Sequence, residues 1–220
     1  MEWISYLGPL SQGAWVTTQL TIWSTLLGGF FAFLFGMGKL SSCLAVRWLS
    51  SSIIEIFRGT SLLVQLFWLY FALPVLGEII GINLKLPAMV AGVLALSLNI
   101  GAYGAEVVRG ALQAVSLEQL EAARALNFSP RQTLWRISLP QAIPEMMPSF
   151  SNLAIQNLKD TALVSLISLA DLAYRAEQIR NFTQDSTSIY TLLLLLYFGM
   201  ALVLAGLMKA LEHFVSRWRG

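Results

Sequence analysis

The sequence has few of the residues from which disulfides, metal centres and nucleophilic active sites are built. Among 220 residues there is one cysteine, Cys43, and one histidine, His213. A single cysteine excludes a disulfide within the chain, and a lone histidine leaves no metal cluster to build. A membrane-embedded enzyme would need a nucleophile beside a base, or carboxylates clustered with histidine. We therefore expect neither a metal site nor catalysis by this chain.

Charge is scarce as well. Only 12% of the residues are charged, 56% are hydrophobic, and the mean hydropathy is +0.67. Soluble domains carry about 25% charged residues, so this composition excludes an ordinary soluble protein and places the chain in a lipid bilayer. The net charge of only +2 gives no reason to expect nucleic-acid binding.

Long apolar stretches dominate the sequence. A membrane-spanning helix needs about 20 mostly apolar residues. Five windows of this kind lie near 14–36, 53–73, 87–107, 147–169 and 189–211. The sequence predicts an all-α integral membrane protein in which residues 1–220 form one transmembrane domain. The domain has five transmembrane helices, and a long connection, 109–145, joins the third helix to the fourth.

The positions of Lys and Arg predict the orientation of these spans. With the N-terminus outside, three cations fall on the outer side, namely Lys85, Arg175 and Arg180. Ten then fall on the inner side, namely Lys39, Arg47, Arg58, Arg109, Arg124, Arg131, Arg136, Lys209, Arg217 and Arg219. Cytoplasmic loops carry the excess of basic residues. We therefore expect an outside N-terminus, and a cytoplasmic location for both the C-terminus and the 109–145 connection.

A charged island in this connection carries the signals of two short helices. Ser116 and Gln119 have the spacing of a capping box, which predicts the start of the first helix. Asn127 can end that helix in the left-handed conformation. Ser129 followed by Pro130 repeats the start signal, because proline is tolerated at the first helical position. The pattern predicts a tight, protruding helical corner.

Pro140 is expected to end the second helix of the corner, because the residue before a proline is pushed out of the α region. The same corner also carries a family motif. Glu121, Ala122 and Ala123, followed by Leu139 and Pro140, resemble the EAA loop of the membrane subunits of ATP-binding-cassette (ABC) importers. In that family the loop is the cytoplasmic coupling helix that docks on the ATPase subunit. The resemblance therefore implies a coupling role for these residues.

The resemblance covers most of the chain, roughly residues 14–212. Residues 55–65 (EIFRGTSLLVQ) and 101–110 (GAYGAEVVRG) are similar to the polar amino acid subfamily of type I importer permeases, which serves His, Glu, Gln, Arg and opines. Residues 67–74 and 99–104 resemble the ectoine and hydroxyectoine permeases within it. The family usually has Gly where this chain has Asn127, the next-best residue for a positive φ. Asn127 is therefore expected to keep the corner and its coupling role.

The resemblance implies the permease subunit of a binding-protein-dependent importer for a polar amino acid or a related zwitterion such as an ectoine-like solute. Implied partners are an ATPase dimer, a second permease, identical or different, an extracytoplasmic solute-binding protein and membrane lipid, in the bacterial inner membrane. The chain lacks the phosphate loop G-x-x-x-x-G-K-[ST], so ATP and Mg²⁺ are expected on the ATPase and no cofactor on this chain. The alternative is a secondary transporter or channel without an ATPase, which leaves the corner unexplained.

Two pairs of opposite charges lie near the inner ends of the second and third spans. Glu55 precedes Arg58 by three residues, and Glu106 precedes Arg109 by three. Residues three apart on a helix can pair, which lowers the cost of charge near the membrane boundary. The pairs are interpreted either as structural ion pairs or as parts of an inner gate.

Polar residues interrupt the predicted fourth span. Gln156, Lys159, Asp160 and Thr161 fall near its middle, where ionisable groups normally face a cavity or a partner. Lys159 and Asp160 are adjacent and so lie about 100° apart around a helix, too far for mutual neutralisation. One hypothesis is that these four residues line the path of a zwitterionic solute. The other is that Lys159 and Asp160 pair with groups on the first or second span, or on the second permease, and so fix the register of the helix.

Overall fold

The chain folds into a bundle of helices of very unequal length. The computed structural model describes residues 3–216, with side chains from residue 6 onward, so Arg217 and Arg219 lie outside the described residues. All regular secondary structure in this part of the chain is helical. The α-helices are α1 (Trp3–Lys39), α2 (Leu44–Gly59), α3 (Leu62–Phe67), α4 (Leu73–Ile79), α5 (Ala88–Gln113), α6 (Leu117–Ala125), α7 (Pro130–Thr133), α8 (Leu139–Asp160), α9 (Leu172–Thr183) and α10 (Ser186–Ser216).

Four helical segments of the described chain are long and apolar enough to cross a membrane. They are Tyr6–Lys39, Leu62–Ile79, Ala88–Gln113 and Ser186–Ser216. The predicted fourth span, 147–169, is not among them, because its polar residues lower its hydropathy. The structure places the second half of α8 there, followed by a 3₁₀ helix, Thr161–Ile167. The helical membrane architecture predicted from the sequence is confirmed, with this segment as its most polar member.

The predicted second span, 53–73, is displaced along the chain. Helix α2 ends at Gly59, the backbone is extended at Thr60 and Ser61, and the apolar span begins only at Leu62. The break is stabilised by Gln65, whose amide Nε2 donates to the carbonyl of Phe57 at 2.9 Å and to the carbonyl of Thr60 at 3.2 Å. These bonds satisfy carbonyl groups that the end of a helix leaves without partners.

Close packing of α1 against α5 forms the centre of the bundle. A Cβ atom on Gly28 would lie 2.8 Å from the Cβ of Ile100, and one on Gly36 would lie 2.8 Å from the carbonyl oxygen of Ala105. Small residues at such positions let helices approach closely in lipid, where van der Waals packing drives association. The glycines of the first span at these two positions therefore serve helix packing.

Replacing Gly28 by Val is expected to destabilise the α1–α5 pair, because overpacking of this kind costs about 1–3 kcal/mol. The adjacent Gly29 is a matched control, since a Cβ there would have no atom within 4 Å. Thermal unfolding of the purified variants measures the difference. We expect Gly28→Val to lower the midpoint by several degrees and Gly29→Val to leave it near that of the natural chain. Equal midpoints would contradict tight packing at Gly28.

The predicted spans leave residues 170–188 as a connection, and the structure places helix α9 there, packed against α1. Its N-cap is Asp171, which is fully buried and accepts a hydrogen bond from the backbone N–H of Tyr174 at 2.9 Å. Burial raises the pKa of Asp171 to about 6. Thr17 of α1 accepts a hydrogen bond from the N–H of Leu172 at 3.1 Å. A capped helix thus occupies this connection.

Candidate functional site

The helical corner is built by local hydrogen bonds at Asn127. Helix α6 starts after Ser116 as predicted, although its capping box does not form, since Ser116 makes no side-chain cap bond. Asn127 has φ +55°, which confirms the left-handed turn. The N–H of Asn127 donates to the carbonyl of Arg124 at 2.9 Å, and the N–H of Phe128 donates to that of Ala123 at 3.0 Å. This is the Schellman arrangement, which closes a helix end without losing carbonyl partners.

The second capping box forms as predicted. The N–H of Ser129 donates to Oε1 of Gln132 at 2.8 Å, and the N–H of Gln132 donates to Oγ of Ser129 at 3.3 Å. Pro130 occupies the first turn of α7. The corner is therefore fixed on both sides of Asn127 by bonds between residues close in sequence.

The prediction that Pro140 ends the second helix is wrong. Helical backbone continues from α7 through a π-helical turn, Leu134–Ser138, into α8, and Leu139 has φ −65° and ψ −46°. A π turn shifts the hydrogen-bond ladder by one residue, and proline is tolerated at the first turn after such a shift. The corner is thus attached directly to the polar helix α8, without an intervening loop.

The corner presents apolar groups to its surroundings. Leu117 and Leu126 are 75% and 69% exposed, while Glu121 and Ala122 lie exposed on the same short helix. Ala123 is buried within the corner. Exposed apolar groups rimmed by charged ones are typical of a protein contact surface. Of the predicted coupling residues Ala123 and Leu139 are buried, whereas Glu121, Ala122, Asn127 and Pro140 are exposed.

A charged cluster joins the ends of α1, α2 and α5. Oε1 of Glu106 lies 2.5 Å from Nζ of Lys39, and its Oε2 lies 2.7 Å from Nε of Arg109. The predicted pair of Glu106 with Arg109 is confirmed. The predicted pair of Glu55 with Arg58 is wrong, because Arg58 lies 4.0 Å from Glu106 and Glu55 points outward without an ion pair in the described chain.

Replacing Glu106 by Gln is expected to lower stability by about 1–2 kcal/mol, because two cations lose their shared carboxylate while solvent partly screens the half-buried cluster. For a chain of this size that corresponds to a drop of roughly 2–8 °C in the midpoint of thermal unfolding. Glu55→Gln is the matched control and should leave the midpoint unchanged. Equal midpoints for the two variants would show that the cluster does not hold these helices together.

The predicted path residues on α8 face three directions. Asp160 is half-buried and accepts a hydrogen bond from Nε2 of Gln156 at 2.9 Å. Lys159 instead lines an apolar groove of about 720 Å³ beside α10, together with Tyr190. Thr161, the first residue of the 3₁₀ helix after α8, is fully buried, and its hydroxyl donates to the carbonyl oxygen of Leu158 at 2.7 Å. Only Gln156 and Asp160 therefore form one accessible polar surface.

Sequence reasoning missed the role of Asn157. This residue is buried, and its amide donates to Oγ of Ser24 at 2.7 Å and to Oγ1 of Thr25 at 3.0 Å. The bonds tie α8 to α1 inside the bundle. The signal was present in the hydroxyl residues of the first span, but only the fold shows which of them faces α8. Sequence reasoning also missed that Lys39, at the end of α1, forms an ion pair with Glu106 of α5.

The fold and the exposed corner define an all-helical membrane permease subunit with a surface for another protein. Residues 24–217 match the family described as binding-protein-dependent transport system inner membrane component. The chain belongs to this family and is the permease of a binding-protein-dependent ABC amino-acid importer, in which ATP is hydrolysed by a partner ATPase. Importers of this class also contain a second permease. Membership does not favour the alternative of an ATPase-independent transporter or channel.

Individual proteins support this assignment. The chain is 66% identical to a probable amino-acid ABC transporter permease protein, y4tF, of Sinorhizobium fredii, with 100% of this chain and 92% of that protein covered. It is 33% identical to the L-cystine transport system permease protein TcyB of Bacillus subtilis, covering 94% and 85%. A crystal structure of an amino acid ABC transporter with histidines superposes with a TM-score of 0.86 at 33% identity, covering 96% of both chains. The fold is therefore that of type I importer permeases.

Proposed function

We propose that Gln156 and Asp160 line the path of a polar amino acid or a related zwitterionic solute. The observation that carries the proposal is the environment of Asp160. Its carboxylate accepts a hydrogen bond from a neutral amide, and no Lys, Arg or His of residues 6–216 lies within ion-pair distance. Ionisable groups at membrane depth normally face a water-filled cavity or a partner, and here the adjacent Lys159 lies beyond ion-pair distance. The ammonium group of a passing amino acid supplies a partner of opposite charge.

The predicted roles of Lys159 and Thr161 in the path are less well supported by their positions. Lys159 faces the groove beside α10, so any contact with the solute requires a movement of that helix or a second permease. Thr161 is enclosed by its own chain. We assign Thr161 to the packing of α8 and retain Lys159 as a path residue of the complete importer.

The helical corner is proposed to be the coupling surface for the ATPase. Its outward residues Glu121 and Ala122 lie beside the exposed Leu117 and Leu126, which supply apolar contact area. Because the corner continues through a π turn into α8, a push on it acts directly on the helix that carries Asp160. ATP and Mg²⁺ bind to the ATPase in this scheme, and this chain binds no cofactor. ATP can drive transport only by favouring one of two states of the bundle.

The orientation of the chain in the membrane is inferred from the basic residues near the helix ends. We place the N-terminus outside and the C-terminus in the cytoplasm of the bacterial inner membrane, with the corner on the ATPase side. A solute-binding protein delivers the solute from the outer side, and lipid surrounds the bundle. The cluster of Glu106, Lys39 and Arg109 holds helix ends together on the inner side, where Arg58 also lies. Its opening as an inner gate stays a prediction.

The decisive experiment is purification of the tagged chain from its own membranes, followed by an ATPase assay in nanodiscs. Binding proteins loaded with L-cystine, glutamine or ectoine are added in turn. Stimulation by one loaded binding protein would confirm the coupling and identify the solute together. An ectoine response would confirm the ectoine-type resemblance, which otherwise stays a prediction. Recovery of the chain without any nucleotide-binding partner would contradict the proposed coupling surface.

A further inference from the structure

A polar cleft of about 400 Å³ opens where α1 ends and α2 begins. Lys39 of α1, Arg47 of α2 and Arg109 of α5 line it, and no acidic residue of the described chain does. Glu106 lies behind the cleft, where it is bonded to Lys39 and Arg109. Three cations against one carboxylate leave an excess of positive charge facing the opening.

Arg47 is the cation that this excess leaves without a partner. It is exposed, and in residues 6–216 no carboxylate lies within ion-pair distance of it. A guanidinium group matches phosphate geometry with two parallel hydrogen bonds and is weakly hydrated compared with an ammonium group. The cleft is therefore suited to a phosphate-bearing ligand.

Large apolar side chains stand beside the same cleft. Leu44 and Trp48 of α2 are 67% and 73% exposed, and both line the opening together with Leu40. Lys39 ends the first membrane-crossing segment, whose 34 residues exceed the about 20 needed to cross the hydrocarbon core, so the cleft lies at the membrane surface. Tryptophan is enriched at this level of the membrane, next to the lipid head groups.

We infer that this cleft binds the head group of an anionic phospholipid. The phosphodiester contacts Arg47 and the cations beside it, and the acyl chains lie along Leu44 and Trp48. Basic pockets between membrane helices bind anionic head groups through this combination of charge and depth. A soluble phosphate ion would meet the cations but would leave both apolar side chains uncovered. The inference does not depend on which solute is carried.

The test is native mass spectrometry of the intact importer released from nanodiscs that contain equal amounts of phosphatidylglycerol and phosphatidylcholine. The natural complex is expected to retain phosphatidylglycerol preferentially. Arg47→Gln should lower the retained phosphatidylglycerol about fivefold, the effect expected of one cation near a membrane surface. Arg47→Lys should retain most of it. Lys209→Gln, on an exposed cation of α10 that does not line the cleft, is the matched control and should change nothing.

Four results would overturn the inference. One is the absence of a preference for phosphatidylglycerol in the natural complex, which needs no variant to fold. Another is an equal loss in Lys209→Gln, which would indicate general attraction by the basic helix ends. Displacement of the lipid by millimolar inorganic phosphate would indicate a site for free anions. A fall in recovered ATPase with unchanged lipid in Arg47→Gln would indicate a protein partner.

Discussion

Uptake of solute is expected to fall roughly tenfold to a hundredfold when Asp160 is replaced by Asn, while assembly of the importer is unchanged. Asp160 is half-buried and its carboxylate accepts a hydrogen bond from Nε2 of Gln156 on the same helix, so the substitution removes no side-chain bond between helices. A hydrogen bond to a charged group contributes about 1.5–3 kcal/mol, and each 1.4 kcal/mol is a factor of ten. Initial uptake rates into proteoliposomes, with the binding protein and ATP supplied, measure the change.

Two controls separate the loss of a solute contact from the loss of structure. Asp160→Glu keeps the negative charge and should recover part of the uptake. Asn152→Ala removes a polar group from an exposed position of the same helix and should leave uptake unchanged. If Asp160→Asn abolishes recovery of the complex together with transport, the carboxylate serves helix register instead. Unchanged uptake would remove Asp160 from the path altogether.

Coupling to the ATPase is expected to be lost when Ala123 is replaced by Leu. Ala123 is buried inside the corner, and its carbonyl accepts the hydrogen bond from Phe128 that closes α6. Overpacking at a buried position costs about 1–3 kcal/mol, which lowers the equilibrium constant for forming the correct corner roughly fivefold to a hundredfold. The outward residues Glu121 and Ala122 are then misplaced. Recovery of the ATPase with the tagged chain measures the effect.

The same substitution at an exposed alanine is the matched control. Ala114 follows α5 immediately before the corner and is exposed, so Ala114→Leu should leave recovery of the ATPase near that of the natural chain. Circular dichroism of both variants checks that the long helices remain. Normal recovery of the ATPase and normal transport with Ala123→Leu would contradict the proposed coupling surface.

The corner could be predicted closely because its bonds are local. Asn127 and the Ser129–Gln132 box depend on residues at most five positions apart, so the residue types alone specify the turn. Pro140 was misjudged for the opposite reason. Proline excludes a regular α-helical bond, but the preceding π turn changes which carbonyl is left without a donor. The residues next to Pro140 do not indicate that the π turn forms.

The charged and polar residues show where local reasoning ends. The spacing predicted that Glu55 pairs with Arg58. In the structure Arg58 lies near Glu106 instead. Glu106 itself binds Lys39, which is 67 positions away from it in the chain. Two residues three apart on a helix are able to pair, but whether they do depends on which cations other helices bring to the same place. Spacing also placed Lys159 and Thr161 with Asp160, whereas packing of α8 turns each in a different direction.

The sequence by itself determined that the chain is a helical membrane protein, that its basic residues cluster at one set of helix ends, and that it carries a capped corner. These properties follow from composition, apolar length and bonds between near neighbours. Only the tertiary structure decided that the corner continues into α8, that Glu106 joins α1 to α5, and that Arg47 lies beside Trp48 with no carboxylate of residues 6–216 as its partner. Such features depend on contacts between distant segments, which form only when the helices pack.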